Sequence, residues 1–165
     1  MEKKRVLFLC IGNACRSQMA EGFARAYGSD VLDPCSAGLG PAPAMPPLTL
    51  QTMQEKNIDL SEAYPKGLDG VRREGIDLIV NLTGNRLPTR LATPIENWEV
   101  RDPIGESEEV YRKVRDEIEA RVLDLILNVR AEMGVLSDDD RSAAGRRPDG
   151  GRMSRFDIRR MRFRQ

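Results

Sequence analysis

A chain of 165 residues suits one domain, with or without an appendage. Apolar residues make up 40% and charged residues 32%, with 26 basic side chains against 26 acidic ones, a balance that excludes collagenous, membrane-embedded and wholly disordered chains. There is no histidine, which excludes Ser-His-Asp triads, His-paired cysteine proteases and nearly every His-containing metal site.

In chain order, Val6 to Cys10 is an unbroken apolar run bounded by Lys3-Lys4-Arg5 and Gly12-Asn13, the pattern of a strand buried on both faces. It is too short, and lacks the small cleavage-site residues, to be a signal peptide. Met19, Phe23, Ala24 and Tyr27 then recur at helical spacing, with Ser17 placed to cap the helix and Gly28 to stop it. Val31 to Ser36 predicts a second strand, followed by a proline-rich loop from Gly40 to Pro47. Pro47 suits the first turn of a helix running to about Lys56. A further helix is expected from Leu68 to Glu74, then a central strand from Asp77 to Leu82 and a short strand from Glu96 to Val100. Val110, Val114, Ile118, Val122, Leu125, Ile126, Val129 and Met133 step by three or four along a long helix from about Ser107 to Met133. Strands alternating with helices predict an α/β fold, a three-layer sandwich in which a central four-stranded parallel sheet carries helices on both faces.

The zero net charge hides an asymmetry. Residues 1–140 hold 17 basic and 24 acidic side chains, whereas residues 141–165 hold nine arginines against Asp149 and Asp157. This composition is too polar to offset chain entropy, so the expected division is a catalytic domain over residues 1–136 and a basic tail, 137–165, that is disordered or loosely docked and available to an acidic partner. Three cysteines, Cys10, Cys15 and Cys35, are too few and odd in number for a disulfide framework and indicate reduced thiols and a cytoplasmic location. No stretch approaches the roughly 18 apolar residues of a membrane span.

The chemistry concentrates in Cys10-Ile11-Gly12-Asn13-Ala14-Cys15-Arg16-Ser17. A loop closing onto a helix N-terminus offers a fan of backbone N–H groups and a positive dipole end, which suits a tetrahedral dianion. Gly12 and Asn13 tolerate the positive φ angles such a cradle demands, and Arg16 has the planar fork to grip two oxygens. Cys10, at the bottom, is expected to ionise well below the free thiol's pKa of about 8.5 and to act as a nucleophile. Ser17 can donate to its sulfur.

Cys10 to Glu21, reading CIGNACRSQMAE, resembles the phosphate-binding loop and first helix of the low-molecular-weight protein tyrosine phosphatase superfamily, with QMAEGFA nearer its arsenate reductase branch. The likeness continues at Ser36-Ala37-Gly38, Asp77 to Leu82, Trp98 through Asp102-Pro103, and Val114 to Ile118, and covers about residues 4–133. It implies that Cys10 attacks phosphorus to form a phosphocysteine, that Arg16 and the amides of Ile11 to Ser17 hold the oxygens, and that Asp102 protonates the leaving oxygen. Two departures stand out. Thr83 occupies the neighbourhood of the first of two relay cysteines found in thioredoxin-coupled reductases, and Leu87 to Thr93 contains none. Ile104-Gly105 follows Asp102-Pro103 where phosphatases often carry aromatic residues. The resemblance also makes Cys15 a candidate redox partner of Cys10. Some family reductases bind potassium through residues resembling Asn13, Glu21 and Ser36 and an aspartate replaced here by Lys66, whose ammonium is expected to substitute for the ion. No metal and no cofactor are expected.

Three readings follow. The first is a phosphomonoesterase acting on aryl phosphates, including phosphotyrosine protein. The second is an arsenate reductase using Cys10 with an external thiol or a glutaredoxin-like partner. The third is an oxyanion-binding regulatory module.

Overall fold

The computed structural model describes residues 2–87 and 92–136, so the expected basic tail lies outside the described residues. The run at the start of the chain builds the middle of the sheet: β1 (Lys4–Cys10) pairs in parallel with β2 (Leu32–Gly38) on one side and β3 (Leu78–Asn81) on the other. A short β4 (Ile95–Asn97) pairs in parallel with β3, giving the order β2-β1-β3-β4. The chain steps from β1 to one side and later returns to the other. The crevice beyond the carboxyl end of β1 therefore lies where the strand order reverses, the place where open α/β sheets bind ligands.

Alternate side chains of β1 feed two cores. Val6, Phe8 and Cys10 face α1 (Arg16–Gly28), α2 (Pro47–Gln54) and α3 (Glu108–Met133), whose Met19, Phe23, Met53, Ile118, Val122 and Ile126 complete the larger core. Leu7 and Leu9 face the other way, against Ala37, Val71 and Ile79. The expected three-layer arrangement holds, with the second layer thin. Among the described residues its helical part is one 3₁₀ turn, Leu68–Gly70.

That turn corrects the expected helix from Leu68 to Glu74. Val71 is already extended, at φ −127° and ψ 132°, and turns inward to the smaller core; so short a segment gains too little from helical hydrogen bonds to meet the cost of nucleation. Three boundaries also move. α2 ends at Gln54, and Asn57, at φ 59°, takes the left-handed conformation just beyond it. β2 runs on to Gly38. β4 lies earlier than the expected Glu96 to Val100: it ends at Asn97, the Trp98 N–H makes one further bond to the Asn81 carbonyl at 2.9 Å, and the buried Trp98 ring packs with its centroid 5.9 Å from that of Phe8.

α1 starts one residue before the predicted cap. Cys15 is its N-cap residue, with no side-chain cap, and Ser17 lies within the first turn. Gly28 is the last helical residue, and a Cβ there would come within 2.7 Å of Ile126 Cγ1, so the glycine lets α1 pack closely on α3. α3 follows its sequence pattern: Ser107 caps it by accepting from the Val110 N–H, and Gly134 ends it at φ 72°.

Ile118 is fully buried between α3 and the sheet. Ile118→Ala should cost about 3 kcal/mol of stability, measured by urea unfolding. At the far end of α3, Arg130 makes two 2.9 Å hydrogen bonds to the Asp30 carboxylate, which hold that carboxyl below its usual range. A depressed carboxyl pKa stabilises the folded state above the unfolded-state value of about 4 and loses that contribution as pH falls through the folded value. Asp30→Asn should therefore be less stable than the parent chain at pH 7, and the gap should close on acidification through the folded value.

Candidate active site

The loop 11–15 leaves the end of β1 and runs directly into α1. Asn13 carries the loop's one positive non-glycine φ, 49°, whereas Gly12, also expected to be positive, is not. A Cβ on Gly12 would make only ordinary contact with Ala42, at 3.5 Å. The glycine that the loop requires sits on β2: a Cβ on Gly38 would lie 2.6 Å from the Ile11 carbonyl oxygen and 2.8 Å from the Asn13 nitrogen.

Cys10 Sγ is buried, 2.8 Å from Ser17 Oγ, and accepts the Asn13 backbone N–H at 3.2 Å. Asn13 Nδ2 donates to Ser17 Oγ at 2.8 Å and to Ser36 Oγ at 3.0 Å. Its Oδ1 accepts from Gln18 Nε2 and from the Lys66 backbone N–H, each at 3.0 Å. The unpaired amides of the first turn of α1 open at the same place.

Arg16 is buried at 6% exposure, and hydrogen bonds fix its orientation. Nη1 donates to the Leu82 carbonyl at 2.7 Å and to the Val100 carbonyl at 3.3 Å, which ties the guanidinium to the ends of β3 and β4. Nη2 stands 3.4 Å from Asp102 Oδ2, and Asp102 Oδ1 accepts the Ile104 N–H. The loop 11–15 thus carries Cys10 and Ser17 in contact at its base and Arg16 at its end, with Asp102, more than ninety residues on from Cys10 in the chain, brought against the Arg16 guanidinium. A sulfur nucleophile, a fixed guanidinium, backbone donors and a carboxyl group together suit displacement at a tetrahedral oxyanion.

The other two thiols are differently placed. Cys15 is buried beneath the loop, accepts from Thr49 Oγ1 at 3.2 Å and lies 3.6 Å from the Tyr111 hydroxyl. Burial pushes its thiol pKa up against those hydrogen bonds. Burial, followed by the Cys15 hydrogen bond, also raises the Tyr111 phenol. Cys35, on β2, donates to the Val6 carbonyl, and burial raises its thiol as well. Thr49, Gln18 and Tyr111 were not among the residues singled out from the sequence. The available signal for Thr49 was a polar residue four before Met53 on the inward face of a helix.

The oxygens of Asn13, Ser36 and Glu21, the positions that resemble a potassium site, are already engaged by donors of this chain. Ser36 donates to Glu21 at 3.0 Å, and Glu21 also takes Arg25 at 3.1 Å. The expected substitution by the Lys66 ammonium is corrected too: Lys66 meets Asn13 through its main-chain N–H, while its Nζ stands 5.7 Å from the centroid of the Tyr64 ring. Among the described residues no helix is long and apolar enough to cross a membrane.

Fold and site together define an enzyme that presents a cysteine on a strand-to-helix loop at the head of a parallel sheet. Residues 5–135 match the family model described as low molecular weight phosphotyrosine protein phosphatase, and the chain belongs to that family. Within it, the chain is 35% identical over 130 residues to a glutaredoxin arsenate reductase of Synechocystis sp., covering 76% of this chain and 98% of the relative. It is 40% identical over 132 residues to an arsenate reductase of Halalkalibacterium halodurans, covering 74% and 94%. A solved structure described as an arsenate reductase in the phosphate binding state superposes with a TM-score of 0.70 at 35% identity, covering 76% of this chain and 98% of that one.

These similarities overturn the phosphomonoesterase reading in favour of its alternative. The loop motif led the other way because phosphate esters and arsenate present the same tetrahedral oxygens, so a cradle for one is a cradle for both. The discriminating features lie outside the loop. No aromatic residue follows Asp102-Pro103, where the half-exposed Ile104 and then Gly105 stand.

Gly38→Ala should destabilise the fold by about 2 kcal/mol, because backbone atoms of the loop must move. Gly40→Ala, with open space at the Cβ position, should change stability by less than about 0.5 kcal/mol. Urea unfolding of the two variants tests the pair.

Proposed function

We propose that the protein is an arsenate reductase in which Cys10 forms the arsenic adduct and an external thiol completes the reduction. The observation that carries this reading is similarity over nearly the whole length of proteins named arsenate reductases, combined with a site in which the Cys10 sulfur meets Ser17 and the loop amide of Asn13. Cys10 sulfur displaces a hydroxyl of the arsenate monoanion: an S–As bond forms, an As–O bond breaks, and the departing hydroxyl leaves as water with the proton given up by the thiol. Arg16 and the amides of Ile11 to Ser17 hold the remaining three oxygens, Ser17 steadies the sulfur, and the Asp102 carboxyl passes the proton to the leaving oxygen.

The second step needs another sulfur. Its attack on Cys10 Sγ forms an S–S bond and breaks the S–As bond, whose electron pair stays on arsenic. The products are a mixed disulfide on Cys10 and the arsenite monoanion, which takes up the proton of the incoming thiol. Arsenic gains two electrons and the two sulfurs lose one each. A further thiol then releases Cys10 by exchange. The chain's own thiols are poor candidates for the attacking sulfur. Both Cys15 and Cys35 are pushed by burial away from the reactive thiolate, Cys35 is engaged with the Val6 carbonyl, and residues 83–93 contain no cysteine. A small thiol such as glutathione, working with a glutaredoxin-like protein, supplies both equivalents. In this reading Cys15 is a packed residue under the loop and needs no redox role.

Arsenate-dependent oxidation of glutathione in the presence of glutaredoxin, followed through a coupled NADPH signal, should be abolished in Cys10→Ser. It should fall about 10²-fold in Asp102→Asn and persist within a few-fold in Cys15→Ala/Cys35→Ala. Failure of the parent chain to consume thiol with arsenate rejects the activity. Loss of turnover in the double variant rejects the external thiol in favour of an internal one.

A further inference from the structure

In a trans peptide the C=O of one residue and the N–H of the next point in opposite directions. An oxyanion loop can turn its amides inward only while each preceding carbonyl is held outward, and a buried carbonyl needs a donor there. Every carbonyl from Cys10 to Cys15 has one. The N–H groups of Leu39, Gly40 and Ala42 donate to Cys10, Ile11 and Gly12 at 3.1, 2.9 and 2.9 Å, and the Met19 N–H donates to Cys15 at 2.9 Å. Among the described residues the two carbonyls between them have no main-chain donor, and they are met by side chains. Gln18 Nε2 donates to Asn13 O at 3.2 Å, and Thr49 Oγ1 donates to Ala14 O at 2.9 Å. Both residues are fully buried. The arrangement carries its own check: with the Gly12 carbonyl held out by Ala42, the Asn13 N–H does point inward, onto Cys10 Sγ.

We propose that Thr49 and Gln18 are positioning residues for oxyanion binding: by holding the Ala14 and Asn13 carbonyls outward they aim the N–H groups of Cys15 and Ala14 at the anion. Neither side chain touches the bound oxyanion. Thr49 has one hydroxyl proton and two acceptors in reach, Ala14 O at 2.9 Å and Cys15 Sγ at 3.2 Å. The carbonyl oxygen is the nearer and the stronger acceptor, so the Thr49 proton lies chiefly toward Ala14 O, with the longer contact to Cys15 Sγ the weaker branch. Thr49 stands on α2 and Gln18 on α1, so the amide ring is braced from two helices that the sequence places on either side of β2. Without those donors, either peptide can turn over and present a carbonyl to the anion, replacing attraction with repulsion.

The proposal rests on the loop being the oxyanion site, and the experiment separates the two ideas. The reduced full-length chain is titrated calorimetrically with inorganic phosphate, which has the shape and charge of arsenate and is not reduced, and kcat and KM for arsenate are measured in parallel. Thr49→Val, which keeps the volume and loses the hydroxyl, should weaken phosphate binding about tenfold and raise KM more than it lowers kcat. Thr49→Ser should restore phosphate affinity to within about twofold of the parent. Gln18→Met should behave like Thr49→Val and carries the test if that variant fails to fold. Urea unfolding identifies a merely structural role: variants that lose stability yet, once folded, bind phosphate as the parent does overturn the proposal, as does absence of rescue by Thr49→Ser. If the parent chain itself binds no phosphate, the oxyanion-site reading falls first and the proposal with it.

Discussion

The buried side-chain amide of Asn13 is the contact on which the site depends. Its two hydrogens go to Ser17 on α1 and Ser36 on β2, and its oxygen takes the Gln18 side chain and the main chain at Lys66. One residue thereby joins the loop to a helix, a strand and the crossover after α2, and it does so at φ 49°, a conformation that asparagine tolerates better than other side chains of its size. Through Ser17 the same amide is one hydrogen bond removed from Cys10 Sγ. The position of the sulfur is therefore set by contacts that converge from most of the molecule, and the loop's five residues need little intrinsic stiffness.

The parts of this structure that were readable from sequence are those in which one chemical pattern has one structural solution. The apolar run Val6 to Cys10 admits only a buried strand, the spacing from Val110 to Met133 only a one-sided helix, and Gly12-Asn13 between the two patterns a tight strand-to-helix loop with Cys10 at its start and Arg16 at its end. The misread parts are governed by tertiary packing. Leu68 to Glu74 has helical composition, yet its apolar residues find more burial as an extended cover over Leu7 and Leu9. Gly28 does end α1 as its place in the sequence indicates, but its closeness to Ile126 could not be read there. Thr49 carries no mark of importance in a one-dimensional reading, because its partners are carbonyl and sulfur atoms more than thirty residues away.

Function was harder to read than fold for a related reason. A ring of amides with an arginine recognises charge and tetrahedral shape, and these do not distinguish phosphorus from arsenic. What separates the chemistries is the fate of the adduct, attack by water at the central atom or by a second sulfur at the first, and that depends on which thiols can reach. In this chain the two spare cysteines are withdrawn into cores and the positions beside β3 hold Thr83, whose hydroxyl donates to Asn81 Oδ1 at 2.7 Å. The reducing equivalent proposed above must then enter from solution, and Ile11 and Ile104, next in the chain to the Cys10 and Asp102-Pro103 segments, are both exposed there.

The pairing of Arg130 with Asp30, and of Lys4 with Glu132 at 3.3 Å, fixes the last turn of α3 beside the first residues of β1. Cys10 stands at the other end of that strand, about 20 Å away at the rise of an extended chain. The last turn of α3 is therefore held at the pole of the sheet opposite the nucleophile. A thiol carried on that turn would have to be displaced by the length of β1 before it could meet Cys10.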